Sequence, residues 1–278
     1  MSVGAFAGGV WMLFPSPAHA TEPGEGYDRL SREAVVAALN KATRTQPAEF
    51  YAKDLTSTDL SGLDFKQANL TASVFNRANL AKANLSGCNL TVAFAEEADF
   101  RGADLRGAIM FSMQLRGARF GGANLSGARF IGDMTGASLE GAKLTELDGA
   151  ADMKNQSMGL MRANFVSANL RHADFSGAAI SRANFSFADL TGAKFVGATM
   201  FGVEFAGTDA SAADFSGADL RQSTFIDSNF AGAKLDGADF TGSKWRGVRG
   251  VDAREAHKAK GIPRPNAERQ INDSRGAD

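Results

Sequence analysis

The sequence predicts a solenoid, a fold in which one small unit is repeated along an axis. From Leu55 onward a large apolar residue, usually leucine or phenylalanine, recurs at every fifth position. Alanine commonly stands two positions before it, and glycine often stands two positions after it. This period matches neither the turn of an α-helix nor the alternation of a flat strand. A short internal repeat explains it, and such repeats indicate stacked arrays.

Several units are close to one ideal motif. Ala-Asn-Leu-Ser-Gly spans Ala83–Gly87, Ala-Asp-Phe-Ser-Gly spans Ala173–Gly177, and Ala-Asp-Leu-Thr-Gly spans Ala188–Gly192. The pattern resembles the pentapeptide-repeat family over about residues 51–247. The resemblance implies an all-β solenoid: a right-handed quadrilateral β-helix with short helical caps, in which each unit forms one side and four units form one coil.

With four units in each coil, residues twenty positions apart should stack. We expect one aromatic column of Phe165, Phe185, Phe205, Phe225 and Trp245, and another on the opposite side of Phe175, Phe195 and Phe215. The alanine of each unit also points inward, where a longer side chain would collide with its neighbours. Glycine suits the corner because it adopts a positive φ without strain.

The N-terminal part indicates export. Residues 1–20 are predicted to be a signal peptide, because the segment from Val3 to Phe14 is uncharged and largely apolar and Ala18-His19-Ala20 matches a signal-peptidase site. No lysine or arginine precedes this stretch. Either the true start lies upstream of Met1, or the segment is an apolar tail. Export predicts a periplasmic or secreted protein that begins near Thr21.

The repeat array needs covers at both ends. Residues 21–50 are predicted to form a linker and an N-terminal capping helix from Asp28 to Ala42, with Ser31 as the N-cap. Residues 248–278 are predicted to form a C-terminal cap and a polar tail. Val248 and Val251 give only weak support for a homodimer at that end.

The repeat is interrupted once, at about residues 145–159. The spacing from Phe130 to Met134 is one residue short, and the segment from Thr145 to Gly159 lacks the apolar column. Departures from a repeat often carry partner-specific features. The segment is therefore either a projecting recognition loop or a decayed repeat without a role.

The composition argues against catalysis. Cys88 is the only cysteine and there are three histidines, so we expect no metal site, no cofactor and no catalytic group. Cys88 occupies an inward alanine position and is predicted to be a core residue. A tightly packed coil also leaves no room for a substrate cleft.

Charge is patterned although its sum is −1. Basic residues cluster before the interruption and acidic residues cluster within it, so the possible partner-binding residues are Arg101, Arg106, Arg116, Arg119, Glu146, Asp148 and Asp152. They form either a banded docking surface or a chance cluster on a solvated exterior. The near-neutral total gives no reason to expect nucleic acid as a partner.

These observations predict an exported, non-enzymatic scaffold for protein–protein interaction, with an unknown protein partner and no membrane span. The family resemblance offers one alternative, a DNA mimic that binds DNA gyrase, as in the quinolone-resistance group. Such mimics are strongly acidic, whereas the repeat region here is nearly balanced in charge.

Overall fold

A computed structural model of the 278-residue chain describes residues 26–43, 45–149 and 162–262. These residues form the predicted all-β solenoid, a right-handed quadrilateral β-helix, which confirms the expected fold class. Parallel bridges join residues twenty positions apart, such as Asn184 with Glu204 and Asp189 with Asp209. The bridges follow four columns along the rod, and each column marks one side.

We number the four sides in the order in which the chain builds them. In the N-terminal coils, side 1 is centred on Leu70, Leu90, Met110 and Phe130, and side 2 on Phe75, Ala95, Leu115 and Met134. Side 3 is centred on Leu80, Phe100, Phe120 and Leu139, and side 4 on Leu85, Leu105, Leu125 and Leu144. In the C-terminal coils, the same sides continue at Ile180, Phe185, Leu190 and Phe195. Corners are named by the two sides that they join.

One unit shows how the sequence makes a side and a corner. The Phe185 ring is fully buried, and the amide of Ala188 donates to the Phe185 carbonyl at 3.0 Å, which closes a four-residue turn. The third residue of this turn has a positive φ, and in the next unit it is Gly192 with φ +68°. Glycine is favoured there because it lacks the Cβ that strains a left-handed backbone.

Polar residues before each centre hold the turns and link the coils. The Asp189 carboxylate accepts a hydrogen bond from the Thr191 amide at 2.9 Å, and this short-range motif recurs along the chain. Where asparagine stacks over aspartate, the side chains also bond between coils, as Asn79 Nδ2 does with Asp59 Oδ1 at 2.9 Å. These bonds satisfy polar groups that the rod leaves half-buried.

The aromatic columns are present as predicted. The rings of Phe165 and Phe185 stack at 5.0 Å with an interplanar angle of 7°. Phe175 and Phe195 stack in the same way on the opposite side, also at 5.0 Å. The two columns meet edge to face across the axis, as between Phe185 and Phe195 at 5.8 Å and 83°. The rings therefore meet across the axis along this part of the rod, and buried Ile180, Leu190 and Met200 occupy the other two sides.

Within the described residues, most coils are joined by isolated bridges. Strands of two or more residues form only where consecutive residues of neighbouring coils pair. The elements in chain order are β1 (Asp28–Arg29), α1 (Arg32–Lys41), β2 (Lys53–Asp54), β3 (Ile109–Gln114), β4 (Arg129–Asp133), β5 (Glu204–Ala206), β6 (Thr224–Ile226), β7 (Lys244–Arg246) and α2 (Ala253–Ala256). All the strand pairs are parallel: β1 with β2, β3 with β4, β5 with β6, and β6 with β7.

Helix α1 covers the N-terminal end of the core. Its side chains Val35 and Leu39 are buried against the first coil, and Ser31 caps it by accepting from the Ala34 amide at 3.3 Å. The helix begins later than the sequence suggested, because Asp28–Arg29 pairs with Lys53–Asp54 as a strand. At the other end, α2 is a single short turn with no buried residue.

The regular coils continue past the predicted start of the interruption. Leu147 is fully buried, and the Gly149 amide donates to the Ala179 carbonyl at 2.8 Å as a normal centre residue would. Asp148 bridges both Arg129 and Ala179, so the regular ladder holds through Asp148. Residues 150–159 of the predicted interruption and the predicted signal peptide lie outside the described residues.

Candidate functional site

The main irregularity among the described coils lies at corner 1–2, where β3 and β4 run side by side. Strand β3 passes round the corner without a break. Phe111 pairs with Ile131 and Met113 pairs with Gly132, so the register of the ladder shifts by one residue at Ser112. The residue missing from the sequence spacing between Phe130 and Met134 is thus accommodated by a bulge in the preceding coil.

Gly132 makes this shortened corner possible. A Cβ added there would collide with the carbonyl oxygen of Met113 and approach Phe130 Cε2 to 3.1 Å. The glycine therefore lets the two backbones approach closely. A β-bulge bends its strand and redirects the neighbouring side chains. Corner 1–2 consequently differs in shape from the regular corners.

An apolar hollow of about 230 Å³ opens on the side 1 face of this corner. Its apolar lining includes Ile109, Phe111 and Ile131. Arg129 and Asp148 also line it, and Arg129 Nε lies 3.2 Å from Asp148 Oδ2. Ile109 is 36% exposed and Phe111 is half-buried, whereas Ile131 is buried. We call Ile109, Phe111 and Ile131, with the hollow they line, the corner hollow.

Two further exposed apolar side chains lie at corner 1–2 in the N-terminal coils. Val92, whose amide donates to the Phe111 carbonyl at 2.8 Å, is 40% exposed. Tyr51, at the same corner in an earlier coil, is 61% exposed. Val92 also has a φ of +52°, which is costly for a β-branched residue. Folding alone gives no reason to place apolar side chains in water at this corner.

The side 2 face of the corner is polar. A second hollow, of about 310 Å³, is lined by Gln114, Asp133, Arg162, Asn164 and their neighbours. Asn164 Nδ2 donates to Asp133 Oδ1 at 3.0 Å, and Arg162 pairs with Glu204 at 2.7 Å. Corner 1–2 thus presents an apolar face and a hydrogen-bonding face on either side of one bulged strand.

Other exposed apolar residues lie elsewhere on the rod. Phe187, at corner 2–3, is 67% exposed, and its ring lies over Gly207. Val196, at corner 4–1, is 40% exposed. Half-buried Val166 and Ile226 share corner 2–3 with Phe187, so three apolar side chains lie at this corner.

The predicted basic residues are engaged in ion pairs. Arg101 binds Asp99 through Nε and Nη2, and Arg119 reaches the same carboxylate at 3.2 Å. Arg106 pairs with its neighbour Asp104 at 2.6 Å. Arg116 lies 3.7 Å from Asp133 Oδ2.

These ion pairs lower the pKa values of the carboxyl groups that take part in them. The hydrogen bonds from the Arg101 guanidinium lower the pKa of Asp99, and those from Arg106 lower the pKa of Asp104. Both carboxyl groups are consequently held in the charged form. They serve the stability of the coils, and their arginines are less free for a partner than the sequence implied.

The predicted acidic residues do not join the basic ones in a single band. Glu146 lies at corner 4–1, two coils after Arg106, and its side chain packs beneath Gly177. Asp148 lies on side 1 in the corner hollow, paired with Arg129. Asp152 lies outside the described residues. Arg101, Arg116 and Arg119 are grouped around side 3, so the structure separates the predicted residues into two groups.

Sequence reasoning missed the corner hollow, although a signal was present. Ile109-Met110-Phe111 is a run of three apolar residues, in which the two flanking positions usually carry polar groups. An apolar residue at such a position faces outward whenever the repeat keeps its register. The run at residues 109–111 therefore marks corner 1–2 as an exposed apolar site.

Cys88 is fully buried, and burial raises the pKa of its thiol to about 12. Within ranges 26–43, 45–149 and 162–262, no group of three or more histidine, cysteine, aspartate or glutamate side chains could hold a metal ion. No helix in those ranges is both long and apolar enough to cross a membrane.

Comparison with known proteins agrees with this geometry. The family model of pentapeptide repeats matches in 8 copies, at residues 54–91, 75–110, 83–127, 113–148, 160–197 and 204–242. No curated protein matches the chain.

Solved structures of similar proteins include three of different origin. HetL, a pentapeptide repeat protein involved in heterocyst differentiation regulation in the cyanobacterium Nostoc, is 24% identical, with 79% of this chain and 94% of HetL covered and a TM-score of 0.40. The full-length plasmid-mediated fluoroquinolone resistance protein QnrB1 is 15% identical, with 79% and 97% covered and a TM-score of 0.43. A pentapeptide repeat protein of the Arabidopsis thaliana thylakoid lumen is 26% identical, with 42% and 74% covered and a TM-score of 0.23.

The repeat matches cover more than half of the chain, and they coincide with the stacked coils and inward leucine and phenylalanine columns. The chain therefore belongs to the pentapeptide repeat family.

Proposed function

We propose that this protein is a non-enzymatic scaffold that binds another protein through the corner hollow, after export from the cytoplasm. One observation carries the binding part. Ile109 and Val92 expose apolar surface beside a hollow at the same corner where the repeat is distorted. Covering that surface with an apolar side chain of a partner would remove it from water.

The two faces of the corner suggest how such a partner would be held. An apolar side chain fits the hollow between Ile109, Phe111 and Ile131, while the Arg129–Asp148 pair at its rim offers one charge of each sign. Polar groups of the partner fit the side 2 face, where Gln114 and Asn184 line the second hollow. Apolar centres with polar rims are typical of protein interfaces.

A non-enzymatic role is supported by the way the fold uses its side chains. The coil interior is filled by apolar residues, and the Asp99 and Asp104 carboxylates are held in the charged form by Arg101 and Arg106. A catalytic site needs convergent polar groups in a cleft that excludes water. The alternative of DNA mimicry is less favoured, because the acids Glu204, Asp209, Asp214 and Asp219 occupy four different sides.

The binding proposal is tested with matched surface variants. A photo-reactive residue at Gln114 is used to capture partners from the native host, in the wild-type background and in two variants. We expect Val92→Thr with Ile109→Thr to lose the captured protein, because both changes keep a β-branched shape but remove apolar surface. Val196→Thr is the control, since Val196 is 40% exposed at a different corner. Equal capture by the double variant would refute the corner hollow as the site.

The export part has a separate test. Mass spectrometry of the protein from its native host should find a mature chain that begins near Thr21. Finding residues 1–20 intact would reject export and leave the binding proposal standing.

A further inference from the structure

The last coil of the solenoid is strongly basic, unlike the chain as a whole. Between Lys244 and Ile262 there are six basic residues against two acidic ones. Lys244 ends the side 2 column and Arg249 ends the side 3 column, with Arg246 on the corner between them. Arg254 follows in α2. All four side chains are exposed.

These four basic groups differ from most arginines in the coils because they have no acidic partner. Lys244, Arg246, Arg249 and Arg254 form no side-chain hydrogen bond or ion pair with any residue in the described ranges. By contrast, Lys258 is neutralised by Glu255 at 2.8 Å and Asp236 at 3.3 Å. Three of these unpaired charges, Lys244, Arg246 and Arg249, therefore lie on two adjoining sides and the corner between them, at one end of the rod.

Apolar and aromatic side chains lie among these charges. Trp245 is half-buried, stacks on Phe225 at 4.8 Å, and donates from Nε1 to Ser243 Oγ at 2.6 Å. Val248 and Val251 are also only partly covered by the core. The end of the rod thus combines exposed cations with partly exposed apolar groups.

We propose that this end of the solenoid binds peripherally to the surface of an anionic lipid bilayer. Lysine and arginine near such a surface are attracted by its negative potential, and a tryptophan whose ring is apolar and whose nitrogen is hydrogen-bonded suits the headgroup layer. The charges extend over two sides and the corner between them. Because Lys244, Arg246 and Arg249 lie in one coil at the end of the rod, a broad anionic surface that faces this end can attract all three.

The bilayer site is independent of the proposed protein-binding site. Lys244 and Arg249 lie in the final coil, whereas the corner hollow is formed by β3 and β4 several coils earlier. Attachment through the rod end leaves corner 1–2 accessible to a partner. Either proposal can fail without the other.

The test is co-sedimentation of the full chain with vesicles of phosphatidylcholine, with and without added phosphatidylglycerol. We expect binding only to the anionic vesicles, and weaker binding as the salt concentration rises. The variant K244Q/R246Q/R249Q should bind about a hundredfold more weakly. The control variant R77Q/K82Q/R182Q removes the same charge from exposed residues in earlier coils, at corners 2–3, 3–4 and 1–2, and it should bind as the wild type does.

Three outcomes would overturn the proposal. Equal weakening by the two triple variants would mean that only net charge matters. Equal binding to vesicles with and without phosphatidylglycerol would remove the role of the cations. Binding to duplex DNA or to an acidic protein, without binding to anionic vesicles, would assign the basic end to a different partner.

Discussion

Replacing Phe205 by alanine is the most direct test of the stacked interior. The Phe205 ring is fully buried between Phe185, at 5.4 Å, and Phe225, at 5.2 Å. It also meets Phe215 edge to face at 6.2 Å and Phe230 at 6.5 Å. The substitution would therefore leave a cavity that is lined by aromatic rings on several sides.

The expected loss is about 4 kcal/mol of unfolding free energy, within the range for removing a buried aromatic side chain. The site has little freedom to collapse, because hydrogen bonds between coils fix the spacing of the rings above and below. The bond from the Gly207 amide to the Ile226 carbonyl, at 2.7 Å, is one of them. The control is Phe187→Ala, which changes the same residue type at a site that is 67% exposed. It should alter stability by less than about 0.5 kcal/mol.

Urea titration of a chain that begins at Thr21 can report this loss through fluorescence, because Trp245 is then the only tryptophan. Trp245 continues the same column beyond Phe225, so its emission follows the coils that the substitution weakens. An unchanged midpoint for Phe205→Ala would contradict the inward register. An equally large loss for Phe187→Ala would show that the outward position is wrongly assigned.

Three further substitutions or reactions test other parts of the fold. Gly132→Ala should destabilise the chain by about 2 kcal/mol in the same urea titration, because the new methyl group collides with the Met113 carbonyl; no loss would mean that the corner relaxes. Cys88 should resist alkylation by iodoacetamide at pH 8 until the chain unfolds, because burial raises the pKa of its thiol to about 12. Alkylation is followed by mass spectrometry, and rapid alkylation of the native protein would contradict this prediction. Asp99→Asn should lower stability at pH 7, measured by urea titration across pH, since hydrogen bonds from Arg101 lower the pKa of Asp99 in the folded state. That contribution is present above the ordinary carboxyl pKa and is lost as pH falls through the lowered folded value, so the difference from the wild type should shrink below about pH 4; a constant difference would exclude this linkage.

The Asp99→Asn comparison is well controlled by the chain itself. Asparagine occupies the same position at Asn79, in the preceding coil, and at Asn169, three coils later, and there its side-chain oxygen accepts from the amide two residues later. The substitution therefore keeps the local turn and removes only the charge. A loss at neutral pH can then be attributed to the ion pairs with Arg101 and Arg119.

The sequence alone determined the coil, its inward columns and the stacking partners. This was possible because each side is made by five consecutive residues, and the repeat itself sets which residues lie twenty apart. Phe165 and Phe185 could thus be paired without coordinates, and Ser31 could be identified as a helix cap from local chemistry. The position of Cys88 in the core followed from the same register.

The tertiary structure decided what depends on contacts between coils. Asp28 and Arg29 pair as a strand with residues 25 positions away, so local helical pattern could not set the start of α1. The bulge at Ser112 and the corner hollow arise where one coil is a residue shorter than its neighbour. Ion pairing between Asp99 and Arg119, on adjacent coils, likewise turned a predicted basic band into paired charges. Side-chain orientation across the stack, rather than sequence spacing, determines which of these groups remain free at the surface.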